Sequence, residues 1–412
     1  MSTAGMITGF DVLVVGAPWR ELTFVEVHTD QGLHGVGEVR MVSKTDTLLA
    51  AIAELGERYV VGTDPFQLSR LAWQVQVGEY GKPGEITQSA LAAFDVACWD
   101  LMGQALGVPV WKLLGGRFRD AVPAYANGWY RTGRDPVAVA ERAREVVAGG
   151  YRALKIDPFG AAVATLTAAE LRRSVAILEA VRDAVGPDVE LYLEMHGRFT
   201  AATARLVAAA VAPTRPGWLE EPVPPGDLQG LRSVRAHTSL PIATGERIHT
   251  ADELVPYLEG GLVDILQVDL THFGGITGLH RLAGWTGAYN IQLAPHNVCG
   301  PVGTAAAVHF AVATANVAVL EHFNDFADPW VFDLAAGAPR VDPATGSFPV
   351  PQAPGLGVRL DRDACAAYPR SFGRLPLFSE GWERRAEYRS PGPAVLAPAP
   401  QVESAGPDTG AG

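Results

Sequence analysis

Three stretches of the sequence each end in a glutamate: VELYLE (189–194), GWLE (217–220) and LPIATGE (240–246). Each is a short apolar run of the kind that forms a buried strand. The final residues, Glu194, Glu220 and Glu246, are spaced 26 positions apart, and each interval contains one predicted helix. Strands that alternate with helices indicate βαβ units and a parallel sheet. We therefore expect the three carboxylates at the carboxyl-terminal ends of three successive parallel strands.

The same alternation continues on both sides of these stretches. Five more apolar runs lie at 122–127, 152–157, 263–269, 290–296 and 317–321. Helices are predicted at 135–149, 167–185, 200–211, 228–237, 251–259, 275–287 and 301–314. Eight strands in about 200 residues favour a closed (β/α) barrel, because an open doubly wound sheet would carry a glycine-rich phosphate loop after an early strand. Active sites of such barrels lie at the carboxyl-terminal ends of the strands.

The N-terminal segment follows another pattern. Residues 23–29 alternate between polar and apolar side chains, and 33–39 return after a short turn, which predicts a hairpin. Helices are predicted at 45–60 and 87–106, and the second ends at Gly107 shortly before a proline. We expect these elements to form one α+β domain.

Composition limits the classes of function. The chain has 412 residues, of which 48% are hydrophobic, and this fraction suits a large core and excludes a mostly disordered protein. A net charge of −12 without any basic run argues against nucleic acid and anionic membranes as partners. The uncharged stretch 301–320 is interpreted as a buried helix leading into a strand, not as a membrane span. Three widely spaced cysteines and no secretory signal pattern favour a cytoplasmic location.

The three strand-end glutamates indicate a metal site. In a compact site their charges would repel, and at least one carboxyl group would have to take a proton. A hard divalent cation removes that problem, and Mg²⁺ prefers oxygen ligands while keeping positions for water or substrate. Glu194, Glu220 and Glu246 are therefore the predicted ligands of one Mg²⁺.

Other strand ends supply groups for acid–base chemistry: Lys155, Asp157, His196, Asp269, His296 and Glu321. His196 lies two positions after Glu194, so both side chains are expected to face the site. Asp269 and His296 end neighbouring strands, which suits a carboxylate that orients an imidazole and raises its pKa. Together these residues are predicted to form an acid–base set around the metal.

Seven segments resemble the mandelate racemase subgroup of the enolase superfamily: 91–116, 154–157 (LKID), 193–198 (LEMHGR), 218–222 (WLEEP), 243–247 (ATGER), 268–278 and 294–303. The resemblance implies an α/β fold, a modified (β/α)7β TIM-like barrel with an α+β capping domain. It places the cap at 1–120, the barrel at 121–321 and a C-terminal return to the cap at 322–388. Residues 389–412 are rich in Pro, Ala and Gly without periodicity, and they are predicted to be a disordered tail.

The resemblance also assigns roles to residues. It implies that the three glutamates bind the metal, that His296 with Asp269 is the base, and that Glu321 hydrogen-bonds the substrate carboxylate. Racemases of this subgroup carry a second Lys base two positions after the first, whereas this chain has Lys155 followed by Ile156 and Asp157. Because racemisation needs a base on each face of the α-carbon, this departure disfavours a racemase. The resemblance further suggests a homo-oligomer, for example an octamer.

The 194–198 segment, Glu-Met-His-Gly-Arg, is similar to that of acid-sugar dehydratases, notably those acting on galactonate. In these enzymes the histidine two residues beyond the first metal ligand helps to expel the β-hydroxyl group. The predicted function is a Mg²⁺-dependent hydro-lyase acting on a small sugar acid. His296 removes the α-proton, Lys155 adds positive charge to stabilise the enediolate, and His196 protonates the leaving 3-hydroxyl to give a 2-keto-3-deoxy acid.

Two alternatives remain open at this point. A cycloisomerase acting on a sugar-acid lactone or anhydro sugar acid would use the same enediolate, with Asp157, Asn127 and Tyr130 shaping the pocket. A non-catalytic protein that keeps the fold as a scaffold is the other alternative, and the complete metal and base positions speak against it. The identity of the sugar acid is not fixed, but Trp19, Arg20 and Arg198 are further candidates for contact with it.

Overall fold

The computed structural model describes residues 3–17, 19–371, 375 and 377–385. Its N-terminal part contains an antiparallel sheet of three strands, β1 (Ile7–Gly16), β2 (Glu21–Thr29) and β3 (His34–Val39). Four helices follow, α1 (Thr45–Leu55), α2 (Leu68–Gly78), α3 (Glu85–Leu106) and the single turn α4 (Val110–Leu113). The predicted hairpin is confirmed as β2–β3, with His28 opposite His34. Helix α3 ends as expected at Gly107, whose φ of 66° lies in the left-handed region.

The prediction of one helix over 45–60 is wrong in its second part. The α-helix gives way to a π-helical turn at Gly56–Val60. At Gly56 the backbone packs so closely against the rings of Phe10 and Phe94 that a side chain would not fit. No bounds were predicted for strand β1, and helix α2 was not predicted.

Eight parallel strands form the barrel: β4 (Ala121–Ala126), β5 (Ala153–Ile156), β6 (Glu190–Glu194), β7 (Trp218–Glu220), β8 (Ile242–Thr244), β9 (Ile265–Leu266), β10 (Gln292–Leu293) and β11 (Leu320–His322). They pair in chain order, and β11 pairs with β4. Leu293 exchanges backbone hydrogen bonds with Asn316 and Ala318 just before β11, at 2.8 and 2.7 Å, and these bonds close the ring.

Seven helices connect the barrel strands: α5 (Pro136–Ala148), α6 (Ala168–Val185), α7 (Ala201–Val211), α8 (Leu228–Arg235), α9 (Ala251–Glu259), α10 (Gly275–Ala288) and α11 (Pro301–Ala313). Their starts follow from local sequence. Thr167, for example, accepts the Glu170 N–H while the Glu170 carboxylate accepts the Thr167 N–H, which is a capping box at the start of α6. The predicted (β/α)7β barrel and α+β cap are confirmed.

The inside of the barrel contains a layer of aromatic side chains. The rings of Tyr192 and Trp218 stack with centroids 3.4 Å apart, and Tyr125 packs edge-on against both. Tyr192 and Trp218 lie two positions before Glu194 and Glu220, so each ring points to the same side of its strand as the glutamate that follows it. The glutamates therefore stand on a rigid, filled layer.

After β11 the chain forms three short strands, β12 (Ala335–Ala336), β13 (Ser347–Pro349) and β14 (Arg359–Leu360), and one short helix, α12 (Arg362–Ala366). Strand β13 pairs with β4 of the barrel. Beyond α12 the chain contacts the N-terminal sheet, where Tyr368 accepts the Gly16 N–H at 3.0 Å. The domain limits given above stay a prediction, and the predicted disordered tail at 389–412 lies outside the described residues.

Candidate active site

The three strand-end glutamates come together at the carboxyl-terminal end of the barrel. Strand pairing sets Glu194 directly beside Glu220, and one carboxylate oxygen from each of Glu194, Glu220 and Glu246 lies within 4.8 Å of the other two. Glu194 and Glu220 are fully buried, whereas Glu246 is partly open to solvent. Burial and the neighbouring charge of Glu220 raise the pKa of Glu194 well above its usual range. The cluster is therefore short of positive charge.

Lys155 is the cation placed among these acids. Its ammonium nitrogen lies 2.6 Å from Glu220, 2.9 Å from Glu321 and 3.3 Å from Glu194. Burial works to lower the pKa of Lys155, but the charges of Glu220 and Glu321 outweigh it and raise the pKa well above its usual range. One ammonium group cannot neutralise four carboxylates, so the donor set fits a hard divalent cation bound by oxygen atoms.

Glu321 lies at the end of β11, next to Lys155 on the same face. Asn127 donates its amide N–H to one oxygen at 2.6 Å, and the backbone N–H of Asn297 donates to the other at 2.8 Å. Burial raises the pKa of Glu321, but the charges of Lys155 and His296 and the Asn297 N–H outweigh burial and hold this pKa below its usual value. Asn127, predicted as a pocket residue, thus lines the cavity and also fixes Glu321.

His296 and Asp269 form the predicted pair. Nδ1–H of His296 donates to Asp269 at 2.6 Å, and Asp269 also accepts the backbone N–H and hydroxyl of Thr271, each at 2.7 Å. The other ring nitrogen, Nε2, lies 3.5 Å from Glu246. Burial alone would lower the pKa of His296, but the charges of Glu246 and Glu321 raise it to about 9.

A second histidine–aspartate pair lies at the other side of the glutamates. His196 Nδ1 lies 2.6 Å from Asp157, and a single nitrogen of Arg198 contacts both oxygens of Asp157 at 2.7 and 2.9 Å. The role of Asp157 was left open by the sequence. In the structure its carboxylate contacts His196 and Arg198. Burial lowers the pKa of His196, although Asp157 opposes this shift.

The backbone at His196 explains how the second pair forms. His196 has φ of 49°, in the left-handed region that a non-glycine residue rarely adopts, and its N–H donates to Glu194 at 2.6 Å. The chain turns sharply directly after Glu194, and the imidazole of His196 is directed towards Asp157 at the end of β5. Strain of this kind is concentrated at functional sites.

A cavity of about 360 Å³ opens above these groups. Among the residues predicted for substrate contact, Trp19 and Asn127 line it together with Lys155, Glu194, His196, Glu246 and His296. Arg20, Tyr130 and Arg198 are buried beside the cavity but do not line it. Arg20 donates instead to the Val298 carbonyl and to Asn324.

Sequence reasoning missed the C-terminal wall of this cavity. Leu375, Leu377, Phe378, Trp382 and Arg385 all line it, although the sequence suggested only that this segment returns to the cap. Trp382 donates its indole N–H to the Gly160 carbonyl at 2.9 Å and meets the His196 ring edge-on at 5.4 Å. No periodicity or motif marks this segment, so only its docking reveals it.

Comparison with known proteins identifies a family for both parts of the chain, the N-terminal domain and the barrel. Residues 15–115 match the N-terminal domain model of the mandelate racemase/muconate lactonizing enzyme family, and residues 138–364 match the enolase C-terminal domain-like model. The chain belongs to the enolase superfamily. The expected membership in its mandelate racemase subgroup is confirmed, and so is the expectation of an enzyme.

Curated relatives of this superfamily member include two named for sugar acids. D-gluconate dehydratase of Thermoproteus tenax is 38% identical over 89% of this chain and 73% of its own length. D-galactonate dehydratase of Ralstonia nicotianae is 35% identical over 82% of this chain and 88% of its own length. A solved mandelate racemase/muconate lactonizing enzyme from Jannaschia sp. CCS1 superimposes with a TM-score of 0.84 at 34% identity, covering 90% of this chain and all of that one. Among the described helices, none has the length and apolar character that crossing a membrane requires.

Proposed function

We propose that this enolase-superfamily member is a Mg²⁺-dependent acid-sugar dehydratase. The proposal rests on one observation above all, the placement of two histidine–aspartate pairs around a cluster of three glutamates. One histidine is available to remove a proton and the other to deliver one, as a dehydration requires. Similarity to relatives named gluconate and galactonate dehydratase supports this reaction.

Glu194, Glu220 and Glu246 would hold the ion, and Mg²⁺ bound there supplies positive charge for the carboxylate end of the substrate. Lys155 contributes a further, fixed positive charge at the same end. A carboxylate raises the pKa of its own α-proton, so this charge is needed before an imidazole can remove that proton at a useful rate. An ion bound at Glu246 would also offset the charge that raises the pKa of His296 most, and would so favour the neutral imidazole that a base requires.

His296 takes the α-proton at Nε2, since Nδ1–H is held by Asp269. The electrons of the broken C–H bond enter the enediolate, which Lys155 stabilises. His196 then gives a proton from Nε2 to the 3-hydroxyl group, and water leaves as the C–O bond breaks. The low pKa of His196 makes its protonated ring a stronger acid than free imidazolium, which suits this delivery. The resulting enol becomes a 2-keto-3-deoxy acid.

The test is incubation with Mg²⁺ and a panel of aldonic and aldaric acids, followed by detection of 2-keto acids with semicarbazide. We expect at least one acid to give a keto product and to exchange its α-proton in D₂O. A cyclic or ring-opened isomer, formed with exchange but without water loss, would support the cycloisomerase instead. Absence of exchange with every acid would contradict both reactions.

A further inference from the structure

Arg385 lies in the C-terminal wall of the cavity with its charge unmatched. The residue is 5% exposed, and its Nε and Nη1 atoms are buried without a hydrogen-bond partner among the described residues. It forms no ion pair with any carboxylate of the described residues. A buried cation without a partner costs several kcal/mol, so such groups are normally paired with an acid or with a ligand.

Aromatic rings surround the guanidinium group. Its central carbon lies 4.9 Å from the ring of Phe323, 5.4 Å from Trp19, 5.5 Å from Tyr130 and 5.7 Å from Trp382. These rings attract the positive charge, but they accept no ordinary hydrogen bond from the N–H groups in the guanidinium plane. The rings therefore fix the position of Arg385 and leave its donors available.

Other cations share this part of the cavity. Arg40 lines it, is 7% exposed, lies 5.8 Å from the Trp19 ring and forms no ion pair within the described ranges. Arg20 does not line the cavity, but its guanidinium carbon lies 5.0 Å from the Trp19 ring. It donates to a carbonyl and an amide oxygen rather than to a carboxylate. One part of the cavity thus has surplus carboxylates, at Glu194 and Glu246, and another has surplus guanidinium groups. A metal matches the first, and an anion matches the second.

We propose that Arg385, supported by Arg40, binds a second anionic group at the end of the sugar acid remote from the metal-site carboxylate. The guanidinium fork suits two oxygens of a carboxylate or phosphate. The preferred substrate is then an aldarate, with carboxylates at both ends, or an aldonate phosphorylated at its terminal carbon. This inference rests on the proposed function and narrows it, since gluconate and galactonate carry a single anionic group.

The experiment compares three substrate classes of equal chain length with the Mg²⁺-loaded enzyme: aldonates, aldarates and terminally phosphorylated aldonates. We expect kcat/KM for a doubly anionic acid to exceed that for its matching aldonate by at least about 100-fold, because a site built around a buried donor rejects ligands that leave it unpaired. A preference for aldarates identifies a carboxylate as the second anion, and a preference for phosphorylated aldonates identifies a phosphate. A preference for plain aldonates overturns the proposal.

The variant Arg385→Gln separates recognition from a structural role. We expect it to raise KM for the doubly anionic acid and to lower kcat/KM for that acid at least about 10-fold more than kcat/KM for the matching aldonate. Arg385→Lys keeps the charge and should retain part of the preference. The exposed neighbour Arg384 provides the matched control, Arg384→Gln, which should behave as wild type. Equal losses on both acids in Arg385→Gln would overturn the proposal.

A binding measurement keeps this inference distinct from the proposed reaction. If no acid yields a keto product, the dehydratase proposal fails, and calorimetry with unreactive adipate and hexanoate in Mg²⁺ still tests Arg385. Tighter binding of adipate to wild type, lost in Arg385→Gln, supports the anion subsite. Equal binding of the two acids to wild type overturns it.

Discussion

The two histidine–aspartate pairs have the same geometry and opposite surroundings. In each pair a ring nitrogen lies 2.6 Å from the carboxylate. The charges of Glu246 and Glu321 raise the pKa of His296 to about 9, whereas burial lowers that of His196 and Arg198 neutralises its aspartate. An identical hydrogen bond therefore does not fix the role of an imidazole, because the charges around the pair decide whether the ring holds or releases a proton.

Replacing each imidazole in turn should separate the roles of the two rings most strongly. His296→Asn should lower both dehydration and α-proton exchange by about 10⁴-fold, because no other described imidazole is placed as the base. His196→Asn should lower dehydration by about 10²-fold and leave exchange within about threefold of wild type. Product formation and exchange in D₂O, followed by NMR in the same sample, measure the two steps. Equal loss of exchange in both variants would show that the pairs do not divide the work.

Substitutions of the two aspartates should differ in their effects on kcat and on stability. Asp269→Asn should lower kcat by about 10³-fold, because the amide favours the wrong tautomer of His296. Asp157→Asn should lower kcat by only about 10-fold, since His196 is needed for one step. The same substitution leaves Arg198 buried without its acid and should cost about 3 kcal/mol of unfolding free energy. Steady-state kinetics and urea unfolding provide the two readouts. A larger kinetic loss for Asp157→Asn would reverse the assignment.

The charge of Glu246, which distinguishes the surroundings of the two pairs, is expected to be neutralised when Mg²⁺ binds. Mg²⁺ at 100 times its Kd should stabilise wild type by about 2.7 kcal/mol, and chelation with EDTA should remove this gain. Glu246→Gln should abolish the effect, while Glu259→Gln, an exposed glutamate on α9, should preserve it. Thermal unfolding with and without Mg²⁺ checks this. An undiminished shift in Glu246→Gln would exclude that glutamate from the site.

The smallest effect concerns the wall behind His196. Trp382→Phe removes the hydrogen bond to Gly160 and should cost about 1 kcal/mol of unfolding free energy. We expect dehydration to fall a few-fold while α-proton exchange is unchanged, because His296 makes no contact with this ring. Trp285→Phe, at a half-exposed position, is the matched control. A parallel fall in exchange would mean that Trp382 acts on the whole cavity.

Sequence predicted the barrel well because its strands are mostly buried and each predicted apolar run ends in a polar residue. Alternate residues of a strand point to the same side, and Glu194 and Glu220 both end predicted parallel strands. This pattern was enough to infer that their side chains face the same end of the barrel. The Asp157–His196 contact could not be inferred in this way, since it depends on the left-handed backbone at His196. The predicted strands 263–269 and 290–296 shrink to two-residue β9 and β10, because the chain leaves the sheet early to bring Asp269 and His296 together.

The cavity wall escaped prediction for a different reason. Trp382 and Gly160 are 222 positions apart, and their hydrogen bond depends on tertiary docking that no local pattern encodes. Arg20 showed the reverse problem, since it was a predicted substrate contact, and in the structure its guanidinium group donates to Val298 and Asn324 instead. The roles assigned to site residues remain predictions, and the variants above test them.

Trp19 and the 377–385 segment are far apart in the sequence, yet they line the same cavity. The acid–base groups below them come from the barrel strands between these two segments. Under the proposed function, the groups that carry the reaction and those that select the substrate are encoded in separate segments of the sequence. Substitutions confined to Trp19 and to the cavity-lining residues of 377–385 should therefore change substrate selectivity before they change the type of reaction.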